Sequence, residues 1–236
     1  MKAKFILHII FIVFFFDLIG ELLWTFYDFP FLVYSFKPLL MLLMMFWYAK
    51  SSTKPLKILL YALFFSFLGD VFLMFLQLSE HFFLSVLSAF LVTHILYIII
   101  FVKYVDQEKK SILRRRPHLM LPFVLYGLSL ISYLYSIATP KFIEMQIPVI
   151  VYASVIMVMV ITAIARYEKV PQKSFSWVLV GALLFMFSDT LIALNNFSSF
   201  FDEIKYVARI SIMILYFFGQ FLIVKGLLKT EEEPQI

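Results

Sequence analysis

The stretch SFLGDVFLMF at residues 66–75 is almost entirely apolar, yet it carries Asp70 at its centre. It belongs to a chain of 236 residues, of which 63% are hydrophobic and only 15% are charged. Soluble domains average about 45–50% apolar residues. Because a water-soluble core of this size does not need so much apolar surface, the composition predicts a polytopic membrane protein whose solvent is lipid.

Apolar runs of about 20 residues, the length that crosses a bilayer as a helix, follow one another along the chain. Lipid offers the backbone no hydrogen-bond partner, so these long runs predict an all-α bundle rather than a membrane barrel. Although the first run resembles a signal peptide, no cleavage site of small residues follows it, and we interpret it as a retained helix. We predict one transmembrane domain over 1–236 with eight helices, near residues 5–27, 31–49, 56–78, 82–103, 119–137, 146–165, 176–195 and 204–226.

The 20 lysines and arginines are divided unevenly between the two sides of the predicted bundle. The four that fall toward the minority side are Lys37, Lys141, Lys205 and Arg209. By the positive-inside rule, both termini are therefore predicted to be cytoplasmic. The net charge of +5 then reflects topology and contact with anionic headgroups, and we expect no nucleic-acid partner. A short chain without targeting tails favours the inner (cytoplasmic) membrane of a bacterium.

Two aspartates lie deep in the predicted membrane spans. On a rise of about 1.5 Å per residue, Asp70 in the third predicted helix lies roughly 20 Å from the cytoplasmic end, and Asp189 in the seventh lies at a similar height. A charge at bilayer depth costs about 2.5–3.5 kcal/mol on insertion scales, so a functional role is the default interpretation. Their matching depth favours a functional role for both.

Other polar side chains recur on single helix faces and are predicted to point into the bundle, where they would build a shared polar cavity. Among them are Asp17, Glu21, Lys37, Gln77, His94, Tyr97, Asn195, Asn196, Arg209 and Tyr216. A plainer alternative stays open for four charged residues near the outer interface, which would snorkel or pair helices: Asp17, Glu21, Lys37 and Arg209. His94 could likewise only hydrogen-bond a neighbouring helix.

Several kinds of chemistry have no support in the sequence. The absence of cysteine rules out disulfides, thiolate metal sites and a cysteine nucleophile. No serine-hydrolase elbow, zinc-protease, phosphate-loop, dinucleotide or EF-hand motif occurs, and no metal-ligand spacing links the four histidines. We therefore predict no metal and no cofactor, with the chemistry resting on carboxylates.

Five stretches, taken in order, resemble the YhhN family of membrane proteins. They are FKPLLMLLM at 36–44, SFLGDVFLM at 66–74, AFLVTHILYIIIF at 89–101, GALLFMFSDTLIALNNF at 181–197 and YFFGQFLIVKGL at 216–227. The resemblance implies an eight-helix lysoplasmalogenase, which hydrolyses the vinyl ether of a lysoplasmalogen to a fatty aldehyde and a glycerophospho-headgroup. It also implies that Asp70 and Asp189 are catalytic, and it matches a family lysine at Lys37 and a family histidine at His94.

Vinyl ether hydrolysis begins with protonation of the carbon β to oxygen, which needs a positioned acid, and continues with attack by water, which needs a base. Two close carboxylates share one proton and can serve both roles. Our hypothesis is that one of Asp70 and Asp189 donates the proton while the other steers water; the sequence does not assign which. Lys37 and Arg209 would hold the substrate phosphate. The remaining predicted substrate-binding residues are Glu21, Gln77, His94, Tyr97, Asn195, Asn196 and Tyr216.

The expected partners are a lysophospholipid, water and the surrounding bilayer. A transporter or flippase for a lipid or small amphiphile is the main alternative, because intramembrane carboxylates also mark proton relays and ion paths. A lipid-binding membrane protein without catalysis is a third possibility. Aldehyde formation in detergent, where no gradient exists, distinguishes the enzyme from the other two.

Overall fold

The computed structural model describes residues 3–76 and 81–232. Within these ranges the chain forms eight long helices and no strand. They are α1 (Ala3–Tyr27), α2 (Phe31–Ser51), α3 (Lys57–Met74), α4 (His81–Lys103), α5 (Leu121–Ile137), α6 (Pro140–Ala165), α7 (Gln172–Phe197) and α8 (Lys205–Glu232). A one-turn helix (Ile112–Arg115) and a 3₁₀ turn (Pro117–Met120) precede α5.

Each of the eight helical segments is long and apolar enough to cross a membrane. Many of their outward side chains are large and apolar, for example Phe15, Ile147 and Leu128, which are 60%, 72% and 59% exposed. Such surfaces are stable against hydrocarbon and unfavourable in water. The chain is therefore an integral membrane protein, and the predicted all-α bundle of eight spans is confirmed.

The start of α6 differs from the prediction, which placed it at residue 146. The helix begins at Pro140, whose fixed φ suits the first helical position. The hydroxyl of Thr139 caps this end by accepting a hydrogen bond of 3.3 Å from the backbone N–H of Phe142. The polar residues Lys141 and Glu144 suggested a loop, but unbranched charged side chains are good helix formers.

The C-terminal helix is also longer than predicted, because α8 continues to Glu232 instead of ending near 226. Its last turn is attached to α2: the carboxylate of Glu231 accepts hydrogen bonds from Ser52 at 2.6 Å and from Tyr48 at 3.3 Å. In contrast, α3 ends at Met74, whereas the prediction continued it to 78.

The packing order of the helices forms a closed ring. Neighbours along the chain pack in the pairs α1·α2, α2·α3 and α3·α4, and then α4 packs on α6. The ring continues through α6·α7 and α7·α8 and closes where α8 packs on α1. The fifth helix lies outside this ring against α6. Only 11% of the most apolar 18-residue stretch of this span is buried inside the bundle, compared with 56% of the corresponding stretch in α8.

The closest helix pair is α7 and α8, and two glycines make this approach possible. A Cβ added at Gly181 would lie 2.7 Å from the carbonyl oxygen of Gly219, too close for any side chain. Small residues at a membrane helix interface permit such backbone contact. The pair brings residues of the second half of α7 next to the first half of α8, as the hydrogen bond of 3.1 Å from Ser188 to the carbonyl of Ile212 shows.

The two ends of the bundle differ in charge. One end is formed by the N-terminal ends of α1, α3, α5 and α7 and by the C-terminal ends of the other four helices. We call it the basic end. The opposite end carries the remaining helix ends. An even number of spans puts the start of α1 and the end of α8 at the basic end, and the cytoplasmic location of this end stays a prediction of the positive-inside rule.

Candidate functional site

Asp189 on α7 forms a compact hydrogen-bonded group with side chains of two other helices. Its Oδ2 accepts a hydrogen bond of 2.5 Å from the hydroxyl of Tyr152 on α6. The same oxygen lies 3.0 Å from Nε2 of His94 on α4. Nε2 of His94 is also 3.0 Å from the Tyr152 hydroxyl. Three titratable groups within hydrogen-bond distance of one another form a path along which a proton can move.

This group lies at the wall of an apolar cavity of about 50 Å³ between α4, α5, α6 and α7, which we call the apolar cavity. Asp189, Tyr152 and Thr190 are the polar contributors to its lining among the described residues. On the other side of the His94 ring, the buried Nδ1 has no hydrogen-bond partner within the described part of the chain. The group therefore combines an acid–base pair with an apolar surface.

Asp70 on α3 belongs to a different group. Its Oδ2 accepts a hydrogen bond of 2.9 Å from the hydroxyl of Tyr216 on α8. The side chain is buried, and Oδ1 has no hydrogen-bond partner in residues 3–76 and 81–232. The ammonium of Lys37 on α2 attracts this carboxyl electrostatically. Asp70 thus interacts with the charged side chains around Lys37 and does not line the apolar cavity.

An aromatic layer lies between the two aspartate groups. The ring of Phe185 has its centroid 4.6 Å from that of His94 and 5.4 Å from that of Tyr216. The Phe90 ring packs 5.7 Å from Tyr216 as well. Among the described residues no hydrogen bond joins Asp70 to Asp189. Instead of the single shared cavity that we predicted, inward-facing phenylalanines divide the polar side chains into separate groups.

A charged cluster surrounds Lys37. Its ammonium lies 2.9 Å from Oε1 of Glu21 and also attracts the carboxyls of Asp17 and Asp70. Asp17 is fully buried, and neither of its oxygens has a hydrogen-bond partner in the portion of the chain that is described. One lysine facing three carboxyls leaves surplus negative charge in a buried place. This is costly unless protons or a bound cation neutralise it.

Polar side chains next to this charged cluster line a second cavity of about 150 Å³, toward the end of the bundle that lies opposite the basic end. We call this cavity the polar pocket. Its charged and polar lining consists of Glu21, Trp24, Lys37, Asn195, Asn196 and Arg209. The guanidinium of Arg209 lies 4.1 Å from the centroid of the Trp24 ring, and its Nη1 has no hydrogen-bond partner among the described residues. Lys37 is already balanced by Glu21, so the guanidinium of Arg209 is the group that makes this pocket suitable for an anion.

The two cavities are adjacent. Ile192 on α7 lines both the apolar cavity and the polar pocket. It lies three residues beyond Asp189 and four before Asn196, so one face of α7 presents all three in succession. A molecule with a polar head and an apolar tail would occupy both cavities across Ile192.

The predicted site residues are thus distributed over several places. Five of them lie around the polar pocket: Glu21, Lys37, Asn195, Asn196 and Arg209. Tyr97 instead donates a hydrogen bond to Gln220, which donates at 2.7 Å to Ser66. Gln220 is also hydrogen-bonded to Tyr216, so this buried group adjoins Asp70 and not Asp189. Gln77 lies outside the described residues.

Sequence reasoning did not identify Tyr152 as part of the site. It is one of 13 tyrosines, a residue common at membrane interfaces, and its helix carries no other charged group nearby. Its position in the middle of an apolar helix was the signal, since a buried tyrosine hydroxyl needs a partner. Asp17 was noticed by depth but was not assigned to the binding set.

Within the described residues there is no group of three or more histidine, aspartate or glutamate side chains placed to hold a metal ion.

Comparison with models of protein families matches residues 32–227 to the YhhN family. The match spans most of the chain and includes both aspartates, Lys37, His94 and Arg209. Comparisons with curated proteins and with solved structures give no match.

Proposed function

Since the chain belongs to the YhhN family, which is associated with hydrolase activity, we propose that it is a lysoplasmalogenase. It hydrolyses the vinyl ether bond of a lysoplasmalogen and releases a fatty aldehyde and a glycerophospho-headgroup. The observation that carries this proposal is the position of Asp189. Its carboxyl contacts His94 and Tyr152 at the wall of an apolar cavity that adjoins a cationic pocket.

The first step of the proposed reaction is proton transfer from Asp189 to carbon. The electron pair of the C=C bond forms the new C–H bond at the carbon β to oxygen, and the ether oxygen stabilises the cation that remains. We assign this step to Asp189 because it, and not Asp70, lines the apolar cavity in which the alkenyl chain would lie. The resulting carboxylate then stabilises the neighbouring oxocarbenium ion, as in glycosidases.

The second step is addition of water to the cationic carbon. One proton of the water passes to the Asp189–His94 pair, and the oxygen forms the new C–O bond. The hemiacetal then collapses: the pair donates a proton to the glycerol oxygen as its C–O bond breaks, and the hemiacetal hydroxyl passes its own proton to the pair, which leaves the aldehyde and restores the acid. The hydrogen bond from Tyr152 holds the Asp189 carboxyl in position for these proton transfers.

The polar pocket would hold the headgroup. Its two cations suit the phosphate, with the fork of the Arg209 guanidinium as the principal donor. Lys37 is already paired with Glu21, so it contributes mainly charge. Asp70 acts here as a positioning residue, since it attracts Lys37 and accepts a hydrogen bond from Tyr216. The substrate would enter from the bilayer of a bacterial inner membrane.

The test of this function is product analysis with purified protein in detergent. Lysoplasmalogen and its saturated-ether analogue are supplied separately, and aldehyde is measured as a hydrazone. We expect aldehyde from the vinyl ether and none from the saturated ether, because an alkyl ether has no C=C bond to protonate.

A lack of aldehyde in both samples would contradict the hydrolase proposal. The same protein in sealed vesicles then tests the transport alternative, for which intact lysolipid crosses the bilayer without chemical change. Cleavage of both ethers would also contradict the mechanism, since it would show that protonation of the double bond is not required.

The apolar cavity offers a test of where the chain binds. Ala153 on α6 lines it and is 9% exposed. Its replacement with phenylalanine would fill much of the space, and we expect kcat/KM for a long-chain substrate to fall about tenfold or more, since one methylene in an apolar pocket changes it by roughly 10–200-fold. Kinetics with short and long alkenyl chains measure this, and the short chain should lose less.

The matched control is Val151→Phe, two residues earlier on the same helix. Val151 is 47% exposed on the outer surface of the bundle, so the larger side chain there meets lipid and should leave kcat/KM unchanged. Equal losses in both variants, or equal losses for both chain lengths, would show that the alkenyl chain binds elsewhere.

A further inference from the structure

The fifth helix forms one wall of the apolar cavity. Leu130 of α5 lines this cavity together with side chains of α4, α6 and α7. Of the eight described spans, α5 is the least buried, since only 11% of its most apolar stretch lies inside the bundle. Its outward side chains include Leu121, Val124 and Leu128, which are 54%, 43% and 59% exposed. An element with so few buried apolar contacts separates from its neighbours at a low cost in free energy.

The N-terminal half of α5 is held by side chains of α6 and α7. The hydroxyl of Tyr126 donates a hydrogen bond of 2.8 Å to Oγ1 of Thr190 on α7. Thr190 follows Asp189 in the chain and lines the apolar cavity. The next residue of α5, Gly127, packs so closely on Met157 of α6 that an added Cβ would overlap the methionine sulfur. These contacts keep α5 closed over the cavity.

The C-terminal end of α5 is attached to α6 by a tight turn. Ala138, in the left-handed conformation with a φ of 47°, follows the last residue of α5, and α6 begins at Pro140. Next to this turn, the hydroxyl of Tyr135 donates a hydrogen bond of 2.7 Å to Oε1 of Gln146. The Tyr135 ring also packs 5.1 Å from that of Phe142. Because this end stays on α6, a movement of α5 away from the cavity is a rotation about the turn.

The size of the apolar cavity requires such a movement before a lipid chain can bind. Its volume is about 50 Å³, whereas an apolar cavity of about 150 Å³ holds one benzene molecule. A long alkenyl chain is much larger than benzene, so it does not fit beside Asp189 while the cavity is closed. The other walls belong to the ring, in which α4 packs on α6 and α6 packs on α7. The wall that can yield is therefore α5.

We propose that α5 is a lateral gate to the apolar cavity. Its N-terminal half swings away from α6 and α7 about the turn at Ala138, and the hydrogen bond from Tyr126 to Thr190 is the latch. The apolar chain of a lysolipid then enters from the bilayer and reaches the cavity beside Asp189. The inference rests on the proposed function for the identity of this lipid.

The experiment locks the gate with a disulfide. The chain has no cysteine, so the variant Gly127→Cys/Met157→Cys can form one bond within each molecule. A Cβ built at Gly127 would lie 3.5 Å from Cγ of Met157, which suits the Cβ–Cβ separation of about 3.5–4.5 Å in disulfides. Replacement of Met157 also removes the sulfur that would overlap the new side chain. Thiol alkylation followed by mass spectrometry measures the oxidised fraction.

The readout is labelling by a photoreactive lysophospholipid that carries a diazirine in its alkyl chain, with the protein in detergent. Mass spectrometry locates the label, and aldehyde release from lysoplasmalogen is measured in parallel. We expect label at cavity-lining residues such as Ala153 and Ala193 in the reduced double variant. Oxidation should lower this labelling rate by at least about tenfold, since no open state remains for binding. The single variants Gly127→Cys and Met157→Cys should show no decrease on oxidation.

Tyr126→Phe tests the latch without a disulfide, and it serves also if the double variant does not fold. Loss of the hydroxyl should raise the labelling rate by about threefold, the usual effect of one hydrogen bond between membrane helices. Tyr133→Phe is the matched control, because Tyr133 lies on the same helix and is 41% exposed. This control should label at the wild-type rate.

Equal labelling of the cavity in the oxidised and reduced double variant would overturn the proposal. So would a Tyr126→Phe variant that labels no faster than the wild type, or aldehyde release at the full rate by the oxidised double variant. Failure of the proposed hydrolysis gives a different pattern. Labelling that depends on the disulfide, without any aldehyde, would support the gate and contradict the hydrolase.

Discussion

Replacing Asp189 with asparagine is expected to lower the rate of aldehyde release from lysoplasmalogen by at least about 100-fold, the usual contribution of a positioned general acid. Asparagine has nearly the same shape, and its carbonyl can still accept the hydrogen bond from Tyr152. Asparagine cannot donate an acidic proton to carbon, so we expect the decrease to appear in kcat. KM should change little, because the polar pocket is untouched.

The measurement is steady-state kinetics of purified protein, with the Tm of each variant recorded to confirm folding. Asp202→Asn is the matched control, because Asp202 is an exposed aspartate in the loop between α7 and α8. It should retain full activity. If the Asp189→Asn variant kept more than half of the wild-type kcat, the assignment of Asp189 as the acid would be wrong.

Replacing Lys37 with methionine is expected to lower the free energy of unfolding by about 3–5 kcal/mol, the cost of removing one partner from a buried ion pair. The side chains of Lys37 and Glu21 are only 13% and 4% exposed, and their charged atoms lie 2.9 Å apart. Without the ammonium, the carboxyls of Glu21, Asp17 and Asp70 would face one another uncompensated. Activity should fall as well, because the polar pocket loses a cation.

Thermal and denaturant unfolding in detergent measure this loss. Lys37→Arg keeps the charge and should be much less destabilising, and Lys205→Met, at an exposed position of the same end, should stay within about 0.5 kcal/mol of the wild type. The double variant Lys37→Met/Glu21→Gln should recover part of the stability, with a coupling of about 0.5–3 kcal/mol. An additive double variant would show that the two side chains do not stabilise each other.

The sequence predicts the helices of this protein well because span length depends on hydropathy, which is local. The sequence does not predict the closed ring of seven helices or the position of α5 outside it. Which helices become neighbours depends on how their side chains fit together. The start of α6 was missed for a related reason: Lys141 and Glu144 extend a helix beyond the bilayer, where polarity no longer marks its end.

The site shows the same division. Depth along a helix follows from counting residues, and this brought Glu21, Lys37 and Arg209 to one height, where the structure places them around one pocket. Contact across helices does not follow from depth. No spacing in the sequence marks Phe90 and Phe185 as facing inward, and their inward position separates the group of Asp70 from that of Asp189.

The closure of the ring by α1 and α8 has a consequence for biogenesis. Membrane helices are inserted in the order of their synthesis, from the N-terminus onward. Glu21 arrives with the first helix and Arg209 with the last, so the pocket between them does not exist until the ribosome has released nearly the whole chain. A nascent or truncated chain that lacks α8 therefore lacks this pocket, and the headgroup site that we propose there forms only after the last helix is in place.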